Sequence, residues 1–599
     1  MKSLIRRFLP PLALLGVLAL LVYQPGAPVH LRNWGFHFLT YFPLPVSLLF
    51  WLSAALLTLW SPAGRLFGRG IEAWGHLLAD GGASAFRKRI ADTGIPVLLV
   101  GLFWILRSRY AFLGDNWLRY DQALRGIHLP YEWGTMVLFH QALKWIPAVL
   151  KIEPRVVLSI LNTLAGLPYL AASVLLARVL GKSAYQRGFI QLGLLAIGAL
   201  QFYCGYVEAY SWALAFIALS LAAVFRAFEG KSRLLPFIFF AIAVLLHAIA
   251  ALFALPLLLL LVHFFSEPFS DFLERPRSGP VRLTALMILL GALASPLLMP
   301  ELFHQYTSPR PGDLTLLQPA LWWERLNGLI LAAPLGALIG LPLLLRFLVK
   351  GDYQNRERLI LAAAAFPPVV VLVLMKMVLG SADWDIIAFT GLPLILFASV
   401  WIRDRKYKET GQPLITLLLF LSLCNTWSFI TINHGNASIQ RIKDIIADDP
   451  APYYQNHPPP MHAAFLFYSN NLQEQRREVL QQGVLEYPDD PRMVYNLAVA
   501  CYESGELDKA RYWTLEALAR NSGYLPPVYL LYLIAGQRGD DHEKRLAGET
   551  ILRAHDEDPA MTSRYIQPDQ LEEVRNTVER LRSRGRTDEE RNSQDHVED

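Results

Sequence analysis

Four features of the chain carry residue types that can do chemistry. The first is Asp115 in GDNWLRYDQAL, with Arg119, Asp121 and Arg125 close behind it. The second is Glu208 in FYCGYVEAYSW, and the third is His247 in VLLHAIA. The fourth is GSADWD, residues 380–385, which gives Asp383 and Asp385, with Lys376 about two helical turns earlier inside an apolar run. D-x-D is a spacing that holds divalent ions, although three residues make a short motif. Each residue also has a plain structural reading: a helix-ending carboxylate at the membrane interface for Asp115, a helix N-terminal charge for Glu208, a turn or packing residue for His247, a snorkelling side chain for Lys376. Ionisable groups near hydrocarbon are costly, so several of them facing one compartment point to a functional site.

Whether they share a compartment depends on the apolar elements between them. Hydrophobic residues make up 54% of the 599 and charged residues 18%, and runs of membrane-spanning length recur, so the chain reads as a polytopic membrane protein. A net charge of +5 is small for this length, and the basic residues lie in loops, which argues against a nucleic-acid partner. Cys204, Cys424 and Cys501 have no paired spacing that would indicate a disulfide framework or zinc site. MKSLIRRF followed by an apolar run, with no small-x-small cleavage site, reads as an uncleaved first span. Further spans are expected near 36–60, 95–112, 156–178, 186–203, 208–226, 283–299, 329–349, 359–379, 386–402 and 413–432. The run 234–265 is too long for one helix and has basic residues on both flanks, Arg226, Lys231 and Arg233 before it and Arg275, Arg277 and Arg282 after it. Two short helices turning near His247 satisfy both facts. About thirteen spans result, with the N-terminus cytoplasmic and the C-terminus outside, and all four polar features then face outward.

After residue 432 the apolar runs stop. The expected organisation is N-terminal spans and a basic loop over 1–94, a membrane core over 95–432, a linker over 433–454, a repeat domain over 455–560 and a charged, partly disordered tail over 561–599. DPRMVYNLAVACYESGELDKARYWTLEALARNSGYLP has a helix-turn-helix pattern resembling a tetratricopeptide repeat, with its turn at Gly505. Steps of 34 residues lead to Gly539 and to Asn471, both suited to turns, so about three repeats are expected. The fold class is therefore all-α, a polytopic membrane helix bundle followed by an α-solenoid.

The membrane region resembles the GT-C glycosyltransferases of the protein O-mannosyltransferase and lipid A aminoarabinose transferase type. Gly114-Asp115 followed by Tyr120 matches their acidic external loop, and GYVEAY at 205–210 and DWDIIAFTGLPL at 383–394 are similar to segments of bacterial members that end in tetratricopeptide repeats. The resemblance implies transfer of a sugar from a polyprenyl-phosphate carrier to a glycan, lipid or protein acceptor on the outer face, with inversion. Asp115 would be the general base. Lys376, then Arg119, Arg310 and Arg325, would meet the charge growing on the leaving phosphate. Glu208, Asp383 and Asp385 would orient sugar hydroxyls, and His247 would bind acceptor or donor phosphate. The loop lacks a contiguous pair of acids, which leaves a divalent cation (magnesium or manganese at Asp383 and Asp385) open. In a bacterium the setting would be the inner membrane, with the repeats in the periplasm recruiting a protein partner. The other readings are a lipid-linked glycan transporter or flippase, an enzyme resembling an O-antigen ligase, and a membrane anchor that displays the repeats.

Overall fold

The structure is a computed structural model and describes residues 11–19, 35, 37–78, 89–110, 112, 116–265, 318–350, 354–374, 384–404, 413–448 and 459–595. Among these residues there is no strand, and the fold is all-α. Met1–Tyr453 and Tyr454–Asp599 form separate compact units.

In the first unit, Pro154–Leu180, Tyr210–Phe228, Trp384–Arg403 and Leu414–His434 are long and apolar enough to cross a membrane. Two bent pairs, Leu44–Leu59 with Ser61–Leu77 (98°) and Leu321–Ala332 with Gly336–Lys350 (120°), raise the count among the described residues to six if each pair is one span. These helices are consistent with an integral membrane protein. The run 234–265 is divided into Leu235–Leu246 and Leu255–Phe265, with His247 at the end of the first helix and a short 3-10 turn between them. The expected span at 186–203 is not a single helix. It stops at Leu194, and Gly198–Tyr203 follows as a separate 3-10 turn. Two of its three glutamines are tied inside the protein: Gln191 accepts from Trp74 Nε1 at 2.7 Å, and Gln201 donates to Ser108 Oγ at 2.7 Å. Buried amides need such partners, and those partners hold the segment in the core. The expected span at 283–299 lies outside the described residues.

The spans have unlike ends. Tyr210–Phe228 follows Glu208 and ends beside Arg226, while Trp384–Arg403 has Asp385 in its first turn and Arg403 in its last. At the arginine end, Arg403 donates to Leu180 O at 2.7 Å and pairs with Glu357, and Arg178 pairs with Asp92 at 2.6 Å. Residues 433–454 are not merely a linker. Ala437–Asp448 is a helix with Arg441 and Ile442 buried.

The second unit is a succession of helices, Pro459–Ser469, Gln473–Glu486, Pro491–Glu503, Leu507–Arg520, Leu525–Arg538 and Asp541–Glu557. Small residues at Ala498, Ala510 and Ala517 let neighbours close over Leu480, Met493, Leu497 and Ile534. Asn471, Gly505 and Gly539 occur at an interval of 34 residues and all have left-handed backbone (φ 58°, 75° and 72°) between paired helices. The packed unit runs past residue 560. Pro568–Asp595 is a helix, and its Val574 and Val578 join Tyr532, Ala547 and Ile551 in a second core, so the expected tail belongs in part to the domain.

Candidate functional site

Arg119, Glu132, Glu208 and His247 come from four separate stretches of the first unit and meet in one buried cluster, with exposures of 4, 1, 1 and 5%. Arg119 lies on the Asn116–Arg125 helix. Its Nη2 is 2.7 Å from Glu132 Oε1, its Nε is 3.9 Å from Glu208 Oε2, and its Nη1 donates to Gln122 Oε1 at 2.9 Å. Glu132 closes a 3-10 turn at the N-cap of Trp133–Leu150. His247 Nδ1 accepts the Ile249 N–H at 3.1 Å, so the neutral ring carries its proton on Nε2, which faces Glu132 Oε1 at 3.7 Å. Among the described residues Glu132 Oε2 and His247 Nε2 have no hydrogen-bond partner.

Local packing dictates this meeting. Gly134 lets the Trp133–Leu150 helix touch the end of Leu235–Leu246, since a Cβ there would stand 2.5 Å from Leu245 O. Thr135 Oγ1 lies within reach of Ala209 O at 3.2 Å and Leu246 O at 3.0 Å, tying the Glu208 and His247 segments to the same helix. Asn162 donates to Tyr206 O at 2.7 Å and Glu208 O at 3.2 Å, and accepts from Ser211 at 2.5 Å. The Glu208 backbone is therefore held from two sides.

An aromatic wall stands behind the cluster. The Tyr210 ring is 4.6 Å from His247 and 5.4 Å from Phe389, and Phe202 is 5.7 Å from Tyr210 and 5.3 Å from Trp384. Asp385 is buried beside Trp384, with its Oδ1 accepting the Ile386 N–H at 2.9 Å. Arg325 is buried on Pro319–Ala332, one turn before Gly328, which touches Ile387 of the Asp385 helix. Asp121 and Arg125 pair with each other at 3.0 Å near the surface. Asp115, Arg310, Lys376 and Asp383 lie outside the described residues.

Sequence reasoning brought Arg119, Glu208 and His247 to one face but passed over Glu132, which touches two of the others. Its signal was an acid between Tyr131 and Trp133, directly ahead of an apolar helix. Chemically, two carboxylates, a guanidinium and an imidazole in a dry setting can accept or deliver a proton and can face an anionic group. Among the described residues no three His, Cys, Asp or Glu side chains are grouped to hold a metal ion. Compared with known proteins, the chain matches no family model and no curated sequence.

Proposed function

We propose that the protein is a membrane glycosyltransferase that moves a sugar from a polyprenyl phosphate to an acceptor on the outer face of the membrane. The observation that carries this reading is the convergence of Arg119, Glu132, Glu208 and His247 in one buried cluster at the ends of apolar helices. Acid–base and phosphate-facing groups are concentrated there, whereas a passive anchor has no use for them. Asp115, one residue ahead of the Arg119 helix in the chain, is the general base in this reading, and Glu132 joins Glu208 as a sugar- or proton-handling acid. Lys376, Arg310, Arg325, Asp383 and Asp385 keep the roles the resemblance implies, and a divalent cation at Asp383 and Asp385 stays open. About thirteen spans, a cytoplasmic N-terminus and tetratricopeptide repeats in the periplasm complete the proposal. Two observations support it: arginines at the far ends of the spans fit a cytoplasmic face, and left-handed turns every 34 residues fit the repeat.

The test is deletion of the gene and mass spectrometry of envelope glycans and glycoproteins. Complementation follows with wild type, Asp115→Asn and Glu132→Gln at equal membrane levels. The expected result is loss of one sugar, restored by wild type alone. Full rescue by both variants would remove the proposed chemistry. The bent pairs and the break at His247 also fit a transporter with discontinuous helices. In that case the deletion strain accumulates an unmodified lipid-linked glycan on the cytoplasmic leaflet.

A further inference from the structure

His128 and His140 lie outside the buried cluster, on either side of Glu132 in the chain. His128 is exposed, in the loop between the Asn116–Arg125 helix and the 3-10 turn that ends at Glu132. His140 is half-buried, two turns into Trp133–Leu150. Their ring centres are 5.6 Å apart, with the planes at 74°. The His140 ring is fixed from two sides. Its Nδ1 is 2.9 Å from Ala123 O, near the C-terminus of the Asn116–Arg125 helix. A carbonyl oxygen only accepts, so Nδ1 carries the proton and Nε2 keeps its lone pair. Gly126, with left-handed backbone (φ 69°), lies against the same ring, and a Cβ there would stand 3.1 Å from Cε1.

An imidazole whose other nitrogen is held by a backbone carbonyl is the usual form of a metal-ligating histidine, because the carbonyl fixes both tautomer and ring orientation. The acids nearby in sequence are engaged elsewhere, Asp121 by Arg125 and Glu132 by Arg119. Two imidazoles that share one ion, with metal–nitrogen bonds of about 2.0–2.1 Å, stand roughly 5 Å apart between ring centres when the angle at the metal is tetrahedral. At a right angle the spacing is roughly 4.5 Å, and with the rings opposed it is roughly 6.5 Å. The observed spacing lies nearest the tetrahedral value. Rotation of the exposed His128 ring about its Cβ–Cγ bond brings either nitrogen round while leaving the ring centre nearly in place.

We propose that His128 and His140 bind a zinc ion, His140 through Nε2, with water in the two remaining positions. Tetrahedral nitrogen coordination is what zinc prefers, whereas magnesium and calcium take oxygen ligands. The ion ties the exposed loop to the Trp133–Leu150 helix and closes residues 128–140 into a ring. Glu132 lies inside that ring, so bound zinc steadies the turn that presents Glu132 to Arg119. The inference concerns binding and loop order, and it stands whether or not a sugar is transferred.

The test is titration of zinc into the full-length protein in maltoside micelles, without a polyhistidine tag and after metals are stripped with EDTA. Excess magnesium fills any oxygen-lined site and leaves two imidazoles free. One zinc per chain is expected, and His128→Gln and His140→Gln should each weaken it at least tenfold. His542→Gln, at an exposed histidine of the second unit, should change nothing. Cobalt in place of zinc should give the strong visible absorption of a four-coordinate ion in wild type alone. Zinc should also raise the unfolding midpoint of wild type and not that of His128→Gln. Absence of stoichiometric wild-type binding, or undiminished binding in His128→Gln, overturns the site. A weak, six-coordinate cobalt spectrum overturns the tetrahedral assignment, and an equal rise in midpoint for His128→Gln overturns the tie between loop and helix. Should His140→Gln fail to fold, His128→Gln decides, because its exposed side chain supports no packing.

Discussion

Glu132 is the residue through which the buried cluster holds together, because it meets Arg119 on one side and faces His247 on the other. A charge left behind when its buried partner is removed costs about 3–5 kcal/mol. Arg119→Leu and Glu132→Leu should therefore each destabilise the protein by roughly that amount. Arg119→Leu should be the more harmful, since it also strips Glu208 of a cation 3.9 Å away. The double variant should cost clearly less than the sum, as expected for groups in one network. Unfolding in mixed micelles checks this, and simple additivity would show that the pair is not coupled. Glu132 was hard to read from sequence because its importance comes from a partner brought back by a turn, and no periodicity marks such a contact. Arg441 was harder still: nothing in ASIQRIKDIIAD says that one arginine lies beneath two phenylalanines from distant segments.

Among the elements, the contact between Trp133–Leu150 and Leu235–Leu246 sets the distance from Glu132 to His247. Gly134→Ala should force these helices apart, at a cost of about 1–3 kcal/mol, and should abolish complementation in the glycan assay. Gly101→Ala is the matched control: a Cβ there meets nothing within 4 Å, so stability and complementation should be unchanged or slightly improved. Equal behaviour of the two variants would mean that the close approach does not position the cluster. The break at His247 was legible in the sequence because bilayer thickness limits helix length and the flanking charges limit topology. The break after Leu194 was not, since apolar composition is the same for a lipid-facing helix and for a segment buried in protein. Only the partners of Gln191 and Gln201 distinguish the two.

At the scale of the whole molecule, the division at Tyr453 and Tyr454 predicts that residues 454–599 fold alone and unfold in one cooperative transition followed by circular dichroism. A broad, non-cooperative melt would show dependence on the first unit. Within this unit Asp490 caps Pro491–Glu503 by accepting the Arg492 N–H at 2.9 Å. Burial raises its pKa, but hydrogen bonds from the Arg492 side chain and backbone outweigh that and hold it below the usual aspartate range. Asp490→Ala should cost about 1 kcal/mol at pH 7. A depressed carboxyl stabilises above its unfolded pKa of about 3.9 and ceases to do so as pH falls through the folded value. The gap between wild type and variant should therefore narrow in acid, and a gap that is constant down to pH 2 would assign the effect to helix propensity. The 34-residue interval was readable because a left-handed turn admits few residue types, here Asn471, Gly505 and Gly539. The unlike ends of the two spans bear on a force that no contact in the molecule exerts. In the proposed orientation Arg226 and Arg403 lie on the electrically negative side of an energised membrane, and Glu208 and Asp385 on the positive side. A fully translocated charge is worth about 2.3 kcal/mol per 100 mV. Respiration would then hold the protein in place, and collapsing the potential would loosen an insertion that the sequence alone leaves less tightly fixed.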